Sequence, residues 1–194
     1  MTRFVLGLVL GLVLGSVGTY LADHPQITTA ALQKPEKAAA VPAADMPVAP
    51  IAGLPNARLT PGALNPNVTQ ANIDSTICVR GWTRTIRPPE AYTEQLKREQ
   101  IREYGYADRR LGHYEEDHLI SLELGGSPTD PHNLWPEPHD VAGGWGSFTK
   151  DRLENALREM VCKHRITLAQ ARGAIAQNWI AAYERVFPGQ PGKP

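Results

Sequence analysis

The rhythm of apolar and polar positions changes several times along this chain, and each rhythm predicts a different element. Residues Phe4 to Ala22 carry no charge and follow Arg3. At about 1.5 Å of rise per helical residue, such a stretch is long enough to cross a bilayer. Gly7, Gly11 and Gly15 recur at every fourth position within it, which leaves one smooth helix face on which a homodimer can form. We read 1–22 as a transmembrane anchor or signal peptide. Tyr20 stands where a cleavage site calls for a small residue, which favours the uncleaved anchor. In either case the rest of the chain is expected on the periplasmic or extracellular side, membrane-anchored or secreted. Residues 23–71 then lose all periodicity and hold eight prolines among alanines and valines, the composition of an extended, disordered linker.

Periodicity returns from residue 72. Helical spacing predicts a helix from about Glu90 to Tyr104. Between Leu119 and Leu124, apolar Ile120, Leu122 and Leu124 alternate with polar neighbours, which predicts a half-buried strand stopped by Gly125-Gly126. Ser127-Pro128-Thr129-Asp130-Pro131 is turn chemistry, and Asn133-Leu134-Trp135 reads as the return strand. Ser147 is the expected cap of a helix whose Leu153, Leu157, Met160 and Val161 form an apolar stripe. Thr167-Leu168-Ala169-Gln170 has the form of a capping box. Ala171, Ala174, Ile175, Trp179, Ala182, Tyr183 and Val186 continue after it at helical spacing. Pro188 and the Gly/Pro tail 189–194 end that helix. The expected fold over 72–188 is α+β: a short two-stranded hairpin with its helix, wrapped by two further helices. About 120 residues suffice for one small domain.

Charge and cysteine content refine this picture. Twenty Lys+Arg against twenty Asp+Glu leave no net charge, so no global field draws the protein to a polyanion. The balance is uneven along the chain: residues 80–110 hold eight cations against five acids, and residues 111–151 hold one against eight. Arg80, Arg84 and Arg87, or Lys97, Arg98 and Arg102 on the first helix, are candidates for phosphate contacts. Glu94 and Glu99 interleave with the second set, as on an ordinary solvated face. Cys78 and Cys162 stand 84 positions apart, which rules out a local zinc knuckle and suits one disulfide in an exported protein.

The acidic middle holds the candidate chemistry. Asp117 offers hard oxygen ligands to a divalent cation, and His118 beside it can stay neutral near pH 7 and accept a proton from water. Neighbouring strand positions point to opposite faces, so one can hold a metal while the other reaches a scissile phosphate. Asn133 is placed to hydrogen-bond the backbone near the histidine and fix the loop. These residues resemble the HNH endonucleases, also called ββα-metal or His-Me finger nucleases. Asp117-His118 resembles the family's acid-histidine element and Asn133 its middle asparagine. The stretches Asp117-His118-Leu119-Ile120, Leu122-Glu123-Leu124-Gly125-Gly126 and Asn133-Leu134-Trp135-Pro136-Glu137-Pro138 are similar to an exported HNH-like subgroup, over roughly residues 76–187.

The resemblance implies a third element, a metal ligand in the first turns of the following helix. Asp151 is the choice, with Glu154 and Asn155 as alternates, where many members have a histidine or asparagine. The Cys-x-x-Cys pairs that many members add are lacking here. It also implies hydrolysis of DNA, or RNA, with His118 as general base and Asn133 positioning. One cation on Asp117 and Asp151 stabilises the phosphate charge. Oxygen ligands suit Mg²⁺ or Mn²⁺, with Zn²⁺ or Ni²⁺ as alternatives. His113, His132 and His139 read as loop residues, of which His139 can approach the site. A second hypothesis is a non-catalytic HNH-like scaffold of the cell envelope.

Overall fold

The computed structural model describes residues 52–192. The apolar segment 1–22 and most of the proline-rich linker lie outside the described residues. Among the described residues no helix is long and apolar enough to cross a membrane. The fold is α+β. Its elements are α1 (Trp82–Ile86), α2 (Glu90–Glu103), β1 (Tyr114–His118), β2 (Leu134–Pro138), α3 (Ser147–Cys162) and α4 (Leu168–Val186), with short 3-10 turns between them. Pro88 and Pro89 set the entry to α2, whose cap is Pro89. Gly105, in the left-handed region at φ +70°, turns the chain out of it.

The hairpin lies elsewhere than the apolar alternation predicts. Its first strand is the polar run Tyr114–His118, paired antiparallel to Leu134–Pro138 with Asp117 opposite Trp135 and His118 opposite Leu134. Leu119, Ile120, Ser121, Leu122 and Leu124 are all buried, so these positions have no solvent face and alternation across a sheet has no meaning there. They form instead a compact loop with a 3-10 turn over Leu122–Leu124. Gly126 is required at its closure, since a Cβ there would lie 1.7 Å from the Ile120 carbonyl oxygen. Pro136 and Pro138 are tolerated in β2 because both strands of a two-stranded ribbon are edges.

Helices α3 and α4 make the core. Leu153, Leu157, Met160 and Val161 of α3 meet Ala171, Ile175, Trp179, Ala182 and Tyr183 of α4, all essentially without exposure. Each large side chain of this kind contributes roughly 1.5–3 kcal/mol on burial. Thr167 and Gln170 form the expected capping box at the start of α4. The cap of α3 is Gly146, whereas Ser147 is the first helical residue and turns its hydroxyl to His139 Nδ1 at 2.8 Å. Cys78 and Cys162 form a disulfide with Cα atoms 5.5 Å apart, joining the segment before α1 to the end of α3.

Residues 53–70, assigned by composition to the linker, pack against this body. Trp179 Nε1 donates to the Gly53 carbonyl at 2.7 Å, Thr60 Oγ1 donates to the Leu134 carbonyl, and Val68 lies in the core. Isolated prolines and alanines disguise this, because a segment held by backbone hydrogen bonds leaves no periodic signature.

Candidate functional site

Asp117 and His118 stand at the end of β1, where the strand gives way to the buried loop. The His118 ring is buried, with Nε2 3.0 Å from the Pro128 carbonyl oxygen. A carbonyl only accepts, so Nε2 carries the proton and Nδ1 carries the lone pair. Burial pushes the imidazole pKa below the ordinary histidine value, against the opposing effects of the Pro128 contact and Asp117. The ring is therefore neutral at pH 7 and basic at Nδ1.

Asn133 ties this loop shut from the first residue before β2. Its Oδ1 accepts from Ile120 N–H at 3.0 Å, and its Nδ2 donates to the carbonyls of Ile120 at 3.0 Å and Ser127 at 2.9 Å. Its own carbonyl accepts from Leu119 N–H at 2.8 Å. The side chain is fully buried and bonds only to backbone, so its effect on His118 is positional.

Asp117 is engaged on one oxygen. Oδ2 accepts from Lys150 Nζ at 2.6 Å and from Trp135 Nε1 at 3.2 Å. The fully buried Lys150 also donates to the His118 carbonyl at 3.0 Å and to Glu154. Burial pushes the Lys150 ammonium down, but Asp117, Glu154 and Glu137 together outweigh it and hold the group well above its ordinary value. Glu137 is fully buried without a hydrogen-bond partner on either oxygen, and burial followed by Asp117 raises its pKa well above the carboxylate range. Burial likewise raises Glu154, and raises Glu115 to about 7, with Asp117 adding to both shifts. One ammonium thus faces more carboxyls than it can neutralise.

Asp151 is an exposed residue in the second turn of α3, beside this cluster. Partial desolvation of its carboxyl and the charge of Asp117 raise its pKa. Arg87, exposed just after α1, acts electrostatically on Glu115, His118, Glu123 and Asp151 alike. His139 bonds Ser147 at the head of α3 and stacks on the exposed ring of Phe148 at 5.5 Å. His113 and His132 pair with Asp108 and Asp130 on the surface. Of the alternates to Asp151, Glu154 is held by Lys150, and Asn155 donates to the Asp151 carbonyl.

Among the described residues no three His, Cys, Asp or Glu side chains converge to hold a metal ion. The hard oxygen donors beside His118 that Lys150 does not hold are Asp117 Oδ1 and the Asp151 carboxyl. Two such carboxylates would suit Mg²⁺ or Mn²⁺, since Mg²⁺ commonly binds through one or two carboxylates and keeps several waters. Such a donor pair does not suit a thiolate or multi-histidine zinc cage.

No family model, curated protein or solved structure matches this chain. The site's chemistry therefore rests on its own geometry.

The motif reading missed Lys150, Glu137 and Glu115. A signal for Lys150 was present, since Lys150, Leu153, Leu157 and Met160 fall on one helical stripe, which places the lysine in line with the core. Lys97, a candidate phosphate contact, is turned inward instead: it donates to the Tyr114 carbonyl at 3.3 Å and pairs with Glu94.

Proposed function

We propose that this protein is a metal-dependent endonuclease of the HNH type that hydrolyses DNA outside the cytoplasm. The observation that carries the reading is His118, neutral, with Nε2 fixed on a backbone carbonyl and Nδ1 left basic at the edge of an acidic cluster. Support also comes from chain order: β1, β2 and α3 follow one another as a ββα unit. His118 ends the first strand, Asn133 clamps the loop and Asp151 lies in the early turns of the helix.

In this reading His118 Nδ1 takes a proton from water, and the resulting hydroxide oxygen bonds to phosphorus as the bond to the leaving ester oxygen breaks in line. Asn133 holds the loop so that the imidazole keeps its orientation. Asp117 and Asp151 would hold a divalent cation, which when bound would supply charge stabilisation to the phosphate and the leaving oxygen. Lys150 fixes Asp117 through Oδ2 and orients the backbone at His118. Export, by the apolar segment at 1–22, places this chemistry on extracytoplasmic DNA.

The hold of Lys150 on Asp117 favours a second reading, in which the finger is a scaffold that binds without cleaving. The full chain incubated with supercoiled plasmid in EDTA, Mg²⁺ or Mn²⁺ separates the two. Nicking that appears only with metal supports the nuclease. A folded, metal-supplied protein that cleaves neither DNA nor RNA is the scaffold.

A further inference from the structure

A pocket of about 450 Å³ opens between α2 and the segment leading into β1, lined by Arg98, Ile101, Arg102, Arg109 and Leu111. Its floor is apolar, with Ile101 buried and Leu111 half-buried. Its rim carries three guanidinium groups with little to neutralise them. Arg98 reaches Glu94 only at 3.9 Å, and Arg109 commits one N–H to the Ile101 carbonyl at 3.2 Å. Asp108, the adjacent acid, is already taken by Arg110 and His113. Cations gathered around one concavity repel, and an anion seated among them relieves that repulsion.

We infer that this pocket seats a backbone phosphate of DNA, at a distance from the His118 centre. The inference names a substrate contact of the proposed nuclease and rests on that reading for its biological purpose. A guanidinium fork matches phosphate oxygens in two parallel hydrogen bonds, and the apolar floor accommodates the sugar beside the phosphate. Leu111 is seven residues before His118 in the chain, so the two stand no more than about 25 Å apart. A duplex covers that span in about seven base pairs at roughly 3.4 Å each. The separation is thus within the length of one short duplex. The site also explains how a chain of zero net charge holds a polyanion, by a local set of cations and not by a global field.

The test is fluorescence anisotropy of a labelled duplex of about 20 base pairs with the full chain in a neutral detergent. His118→Ala is included so that the DNA stays intact, and salt is varied between about 50 and 200 mM. Arg98→Ala and Arg102→Ala should each lower the slope of log K against log salt by about 1, and the double variant by about 2. Arg185→Ala, on the exposed side of α4, should leave the slope unchanged. An unchanged slope and affinity in the double variant, or an equal loss with Arg185→Ala, overturns the proposal. Plasmid nicking by the chain with His118 intact separates the two readings. A slope that depends on these arginines without any cleavage keeps the pocket and removes the nuclease. Cleavage with a slope indifferent to them removes the pocket alone.

Discussion

Asn133 shows how much of the site depends on one neutral side chain. Its amide satisfies both backbone groups of Ile120 and the carbonyl of Ser127 inside a loop closed to water. Removing it strands those groups, each at a cost of about 1–3 kcal/mol. Asn133→Ala should therefore destabilise the fold by at least ~2 kcal/mol, read by denaturant titration, and slow cleavage even where the protein remains folded. A variant with parental stability would show that the loop holds itself. The contrast with His118 is chemical: the histidine has one anchored nitrogen and one basic nitrogen, so in the proposed mechanism its loss would remove a reacting group and leave the loop's hydrogen bonds to Asn133 in place.

At the scale of elements, β1 is a strand with a titratable group at every position, and burial makes that costly. Glu116 has neither carboxyl oxygen hydrogen-bonded, and burial, then Asp117, raises its pKa to about 9. A carboxyl raised in the folded state binds its proton there more tightly than in the unfolded chain. Its contribution is therefore fully present below the ordinary value of 4.5 and is lost as pH rises toward 9. Glu116→Gln should flatten that decline and raise stability at pH 8 relative to the parent, measured by thermal unfolding at pH 5 and 8. An unaltered slope would mean that the Glu116 carboxyl is solvated. The polarity of β1 also explains what the sequence left hidden. The helices were legible because Leu153, Leu157 and Met160, or Ala171, Ile175 and Trp179, repeat at helical spacing. The start of α4 was legible because Thr167 and Gln170 cap it locally. The hairpin was not, because Tyr114–His118 is a strand held by tertiary burial, while the apolar run after it folds into a loop closed by Asn133 across thirteen residues. The motif singled out Asp117, His118 and Asn133, which the fold brings together around one loop. It did not single out Lys150 and Glu137, since only the packing of α3 against the hairpin reveals that their charges meet.

Over the whole molecule, cations are spent inside the fold more than the sequence suggests. Arg158 donates to the Ile77 carbonyl, Arg172 binds the carbonyls of Leu124, Val68 and Gly125, and Arg152 reaches Tyr183 and Phe187. These contacts fasten α3 and α4 to the segments packed around them, as the Cys78–Cys162 bond does. Arg152, Arg158 and Arg172 therefore act as internal cement, while Lys163, Arg165 and Arg185 stay exposed. Among the exposed cations, Arg87 and the arginines of the α2 pocket are the ones proposed for a polyanion, and in that proposal local cations rather than bulk charge set where DNA would lie. The central claim is that His118 is the base, and the most direct measurement is the rate of plasmid nicking by the parent and His118→Ala across a pH series in Mg²⁺ and Mn²⁺. The lowered pKa keeps the imidazole neutral below its ordinary value of 6.5, so the acid limb of the parental rate should lie below that value. The variant should lose about 10²–10⁴-fold. A variant that nicks DNA at the parental rate, or an acid limb well above 6.5, would contradict the account.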